Sequence, residues 1–211
     1  MQNFFYKVND KEYEVVIVPK KIKNIHYRIR DGKFYVSCHP RILKLQVVRG
    51  LDKFAESLIK RSSKEEPIGD DYIYLFGEKY IINQAGVMRF PSYPEINYKN
   101  HEDLLKKLRP IFLSILTNRV RYYEKQMGLP SYSVSIRKMS SRYGSNSRRT
   151  KNLNFAFMLI HYSYPIIDSV VVHELAHIEV FNHSKEFYDV VYKYCPDYKK
   201  LRAKLRKGEY K

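Results

Sequence analysis

Val170-Val171-Val172-His173-Glu174-Leu175-Ala176-His177-Ile178-Glu179-Val180-Phe181-Asn182-His183-Ser184 is the stretch on which the reading of this chain turns. On a helix, positions i and i+4 lie one above the other, so the imidazoles of His173 and His177 reach a single ion. Glu174 stands about 100° further round the axis, close enough to touch a water on that ion without displacing it. The flanking Val170, Val171, Val172, Leu175, Ala176 and Ile178 are apolar nearly all round, which predicts a buried helix. Two imidazoles and a carboxylate are costly there unless paired or metallated. The spacing therefore points to a metal centre and away from two ordinary core histidines.

A zinc site that keeps an open position takes three protein ligands. His183 follows His177 after five intervening residues, the spacing of the HExxHxxGxxH arrangement in metzincins. Val180 stands where those proteins carry Gly, so another residue must make the turn, and Asn182, tolerant of left-handed geometry, is the candidate. Glu186, one helical turn beyond His183, is the competing ligand. Imidazole donors suit Zn²⁺. Asp168 and Glu179 are candidates for orienting an imidazole through its second nitrogen.

Working outward, Pro165 opens the motif helix. Upstream, Ser133–Lys138 and Asn152–Met158 read as strands around a polar, basic loop. Asn100 is a candidate N-cap for a long helix to Met127, stopped by Gly128 and Pro130, and Pro110 is expected to kink or divide it. Pro91 and Pro94 mark a loop. Tyr72–Phe76 and Lys79–Ile82 form a hairpin around Gly77, and Ile25–Ile29 and Lys33–Ser37 another closed at Asp31-Gly32. Between the hairpins, Leu43–Arg61 has helical apolar spacing with Gly50 as a weak point, and Tyr13–Val18 is a further strand. Downstream, a turn at Asn182–Ser184 leads to a helix over Lys185–Tyr194 and a basic helix after Pro196. Strands first and helices later predict an α+β fold. The 211 residues fit one domain, β-rich over 1–95 and helical, with the motif, over 96–211.

The apolar share of 44%, with 20 Tyr and 11 Phe, supports a packed core and excludes disorder. No signal-peptide pattern opens the chain and no apolar run approaches the roughly 18 residues of a membrane span. Cys38 and Cys195 lack CxxC spacing, which reads as buried free thiols in a reducing cytoplasm. The net charge of +17 implies an affinity for anions, whether nucleic acid, nucleotides or acidic proteins. Arg137, Lys138, Arg142, Arg148, Arg149 and Lys151 crowd one loop with no acidic residue among them. That loop is either a solvated charge run or an oxyanion clamp facing the metal, with Arg142 the first candidate. The run Lys199–Lys207 reads as a solvated helix face or a polyanion tether.

The stretch from Val134 to Tyr198 resembles the YgjP-like metallopeptidase family, relatives of the SprT-like and WLM zinc peptidases. The matching residues are Arg137, Ser141-Arg142-Tyr143-Gly144-Ser145, Leu153-Asn154, Pro165, Asp168 through His177, Asn182-His183-Ser184, Phe187 and Pro196-Asp197-Tyr198. The resemblance implies a zincin-like domain with His173, His177 and His183 on Zn²⁺ and Glu174 as base. It departs where the family usually shows Trp followed by Gly-Ser-Cys, here Tyr143 and Asn146. The activity implied is that of a zinc metallopeptidase, a zinc-activated water attacking an amide bond of a peptide or protein. Nucleoside-triphosphate hydrolysis has also been attributed to the family, which makes an anionic nucleotide the alternative substrate. The SprT-like relatives suggest a third reading, a nucleic-acid-associated protease, with non-specific nucleic-acid association through the basic surface. No CxxC pair is present to build a zinc ribbon for that role.

Overall fold

The computed structural model describes residues 2–62, 66–83, 85–91, 93–139 and 141–211. The chain divides into two compact units, Met1–Glu65 and Glu66–Lys211. In the first, β1 (Phe4–Val8), β2 (Lys11–Pro19), β3 (His26–Arg30) and β4 (Lys33–Cys38) form a sheet in the order β1-β2-β4-β3, and α1 (Lys44–Ser62) follows it. Alternation puts Tyr13 and Val15 of β2, with Phe34, Val36 and Cys38 of β4, into a core shared with Val47, Leu51 and Ala55 of α1. Asp31 (φ 49°) and Gly32 (φ 69°) both adopt the left-handed conformation that a tight hairpin turn demands. Gly50 lies inside α1 and has a steric reason to be there. A Cβ there would lie 1.8 Å from the Tyr27 hydroxyl, which itself donates to the Val47 carbonyl at 3.2 Å. The residue is Gly because the ring needs the space.

In the second unit, β5 (Tyr72–Leu75) and β6 (Glu78–Ile81) form one hairpin, and β7 (Gly86–Met88) and β8 (Ile96–Tyr98) pair across the proline loop. Ile73, Leu75, Met88, Ile96 and Tyr98 join the core that contains Leu104, Leu108 and Phe112. The strands between 66 and 98 thus pack with the helices that follow them. Helix α2 runs from His101 to Met127; the Asn100 side chain accepts from the Asp103 amide, and Gly128 (φ 67°) closes the end. Pro110 does not divide this helix. It sits on the exposed side, where water can serve the carbonyl its missing N–H leaves free, while Leu104, Leu108, Phe112, Leu116 and Val120 run unbroken along the buried side.

Next come β9 (Ser133–Arg137), β10 (Gly144–Ser147) and β11 (Asn152–Ala156), in the order β10-β11-β9, with β11 parallel to β9 and antiparallel to β10. Strand β10 lies inside the stretch read as a loop, and Phe157–His161 closes β11 as a 3₁₀ turn. Helices α3 (Tyr164–Glu179), α4 (Lys185–Tyr194) and α5 (Tyr198–Lys207) complete the unit. The architecture is α+β. Both cysteines are buried and free, and among the described residues no helix is long and apolar enough to cross a membrane.

One ion pair anchors the motif helix. Arg119 of α2 meets Asp168 of α3 in two parallel bonds, Nε to Oδ1 at 2.7 Å and Nη2 to Oδ2 at 2.5 Å, and the Tyr123 hydroxyl donates to the same carboxylate at 3.3 Å. Asp168 is buried, so its loss strands a bidentate partner and a half-buried phenol. Asp168→Ala is expected to cost roughly 1–3 kcal/mol of stability, read as a lowered midpoint in urea unfolding; an unchanged midpoint would refute the anchor.

Candidate metal centre

Helix α3 is a core helix, with Ile166, Ile167, Val171, Val172, Leu175 and Ala176 all fully excluded from water or nearly so. His173 and His177 emerge from one side of it. The helix ends on Val180, whose backbone is extended (φ −120°, ψ 114°). Asn182 is not among the described residues with left-handed backbone. An extended residue swings the chain off the helix axis without that geometry, which removes the need for a glycine there. His183 then returns to face the other two.

One ligating nitrogen from each of His173, His177 and His183 lies within 4.8 Å of the other two. The Nε2 atoms of His173 and His183 are 3.3 Å apart, against about 3.3 Å for the edge of a tetrahedron with zinc–nitrogen bonds of about 2.0–2.1 Å. His177 Nδ1 donates to the Val180 carbonyl at 3.2 Å, which fixes the tautomer and leaves its Nε2 lone pair bare. The donor set fits a zinc-type ion. Phe187, fully buried in α4, packs against all three rings with centroid separations of 5.0, 4.5 and 4.8 Å. Glu186 lies outside this cluster and is exposed.

Glu174 is 5% exposed, and burial pushes its carboxyl up to about 7, opposed by the charges of Arg202 and Arg142. Burial likewise drives the His173 imidazole down to about 3, so it stands neutral, as a ligand must. Strand β10 passes so close that a Cβ on Gly144 would lie 2.5 Å from Glu174 Oε1. Asn146, also on β10, donates its side-chain amide to the Glu174 carbonyl at 2.8 Å, while its Oδ1 is buried without a partner. Arg142, Gly144, Asn146, His173, Glu174 and His183 line a cleft of about 300 Å³.

The basic loop is thus divided. Arg142 and Arg148 line the cleft, yet Arg148 donates to the carbonyls of Ile178 and Glu179, capping the C-terminus of α3. Arg137 turns to the Asn154 side chain. Asp168 is committed to Arg119, and Glu179 offers its backbone carbonyl to Arg148. Neither orients an imidazole. The partner of His173 Nδ1 is the Tyr198 hydroxyl of α5, at 2.8 Å. Spacing arguments missed Tyr198; its only signal was its place in the Pro196-Asp197-Tyr198 segment of the resemblance.

A buried carboxylate beside three clustered imidazoles is the arrangement of one class, the metal-dependent hydrolases. The sequence profile described as YgjP-like, metallopeptidase domain, matches residues 7–208. The chain belongs to that family, and is a hydrolase of the metallopeptidase type with a metal cofactor. No curated protein matches it. Among solved structures it is similar to the metallopeptidase zymogen of Methanocaldococcus jannaschii jannalysin, at 18% identity and TM-score 0.41, covering 44% of this chain and 95% of that one. The metallopeptidase zymogen of Pyrococcus abyssi abylysin is similar at 19% identity and TM-score 0.40, covering 43% of this chain and 93% of that one.

Two outcomes follow from this geometry. Gly144→Ala forces the Glu174 carboxylate aside and should lower turnover about 10²-fold, while metal content by elemental analysis stays at the wild-type level. Tyr198→Phe removes the hydroxyl bonded to His173 and should weaken metal binding by about 10–100-fold, measured by competition with a chromogenic chelator.

Proposed function

We propose that the protein is a zinc-dependent peptidase in which His173, His177 and His183 hold the ion and Glu174 carries the protons. The convergence of three imidazole nitrogens beside a buried carboxylate is the observation that carries this reading. Zinc bound there would supply a water acidified towards pH 7 and a Lewis acid for the scissile carbonyl. Glu174 takes the proton from the attacking water and returns it to the departing amine, because among the described residues it is the one carboxylate lining the cleft. Arg142 faces the cleft from β10's approach and offers its guanidinium to the negative charge that develops on the carbonyl oxygen.

A peptide suits the cleft for a second reason. Strand β10 pairs with β11 on one side and with no other strand on its far side among the described residues. An extended peptide can add to such an edge through main-chain bonds. The presence of Arg142 in the same cleft supports a second reading, hydrolysis of a nucleoside triphosphate, whose phosphates a guanidinium binds well.

Glu174→Gln should retain its metal and lose at least 10²-fold in turnover on casein-type peptides, and a chelator should abolish wild-type activity until zinc is restored. Full activity in the Glu174→Gln protein would remove Glu174 from the mechanism. Release of phosphate or pyrophosphate from triphosphates, with peptides left intact, would favour the second reading.

A further inference from the structure

A second depression, of about 700 Å³, opens on the other side of the imidazoles; His173 and His183 line both it and the catalytic cleft. Its remaining walls are Tyr188 and Tyr192 of α4 and Tyr198, Lys199, Arg202 and Arg206 of α5. The spacing explains the construction. Tyr188 and Tyr192 stand one helical turn apart, and Tyr198, Arg202 and Arg206 repeat at the same interval, so each helix presents a single stripe to the groove. The tyrosine rings pack on one another, with centroids 6.0 to 6.4 Å apart, making an ordered wall of hydroxyl donors. Among the described residues no carboxylate lines the groove. Among the described residues, none of Lys199, Arg202 and Arg206 forms an ion pair, although the chain has many acidic side chains engaged elsewhere. The charge of Arg202 reaches the site itself, acting on both His173 and Glu174.

We propose that this groove is the subsite for acidic side chains of the substrate, so that the enzyme selects peptides with Asp or Glu at alternate positions on one side of the scissile bond. The proposal rests on the peptidase reading, since one chain lying over His173 and His183 occupies cleft and groove together. Dimensions support an extended peptide. Arg202 and Arg206 are about 6 Å apart along the helix axis, and alternate side chains of a strand are about 6.6 Å apart, so successive carboxylates on one face of the peptide meet successive guanidiniums. Arg and Tyr are also the side chains whose donors match a carboxylate's four lone-pair sites.

The test separates binding from cleavage. Fluorescein-labelled peptides carrying two Glu at alternate positions, and matched peptides with Gln or Lys there, are titrated against zinc-loaded Glu174→Gln protein and followed by anisotropy. The Glu peptide should bind at least tenfold more tightly than the Gln peptide, with the advantage shrinking as salt rises. Arg202→Gln and Arg206→Gln should each erode that advantage, and Arg202→Glu should transfer the preference to the Lys peptide, which a merely structural role for Arg202 would not do. Equal affinity for the Glu and Gln peptides would overturn the proposal. So would tripolyphosphate binding that depends on Arg202 while the peptides show no preference, because the groove would then be a phosphate site. A Glu peptide bound with preference but left uncut by the wild type would support the subsite and count against the peptidase reading.

Discussion

The ring of Phe187 is the contact around which the site is built. Three imidazoles held this close together need support from the fold, because a chain that relied on an ion to collect them would pay the whole ordering cost at binding. Phe187 touches all three rings and is itself fully buried, as are Val172 and Ala176 of α3 and Val191 of α4, in a cluster that Cys195 and Tyr198 complete. The small core joining the last three helices therefore also forms the floor of the metal centre. Packing sets the geometry, and Tyr198 and Val180 then fix two ring orientations by hydrogen bonding.

Around that floor the polar groups are divided by side. On one side β10 brings Gly144 against Glu174, and the absence of a side chain lets a carboxylate sit in nearly complete burial beside a strand. On the other side α5 contributes Tyr198 and the two arginines that follow it at helical intervals. Arg142 and Arg202 both act on Glu174, and both are outweighed by its desolvation. The carboxylate is thus poised by burial, with the positive charges of Arg142 and Arg202 acting against it.

The parts of this arrangement that were legible are those encoded by short-range spacing. His173, Glu174 and His177 could be placed because a helix repeats locally, Asn100 and Gly128 because caps have side-chain and backbone signatures, and Asp31-Gly32 because a tight hairpin demands positive φ at both positions. What was hidden depends on distant partners. Strand β10 is four small polar residues, Gly144–Ser147, with no apolar alternation; its extended state comes from pairing with β11. The bond from Tyr198 to His173 is a tertiary contact invisible to periodicity. Pro110 shows that a proline on the exposed side of a helix need not divide it, and Gly50 that a glycine inside a helix can serve a ring's close approach.

The three imidazoles and Glu174 lie between residues 173 and 183, whereas the other groups around them come from β10 upstream and α5 downstream. Closing so short a segment costs little chain entropy, and the loop can form early. The donor cluster is therefore local in sequence, and its surroundings are tertiary. A nascent chain in which α5 has not yet docked already carries the complete donor set, but lacks the Tyr198 contact and the cationic groove.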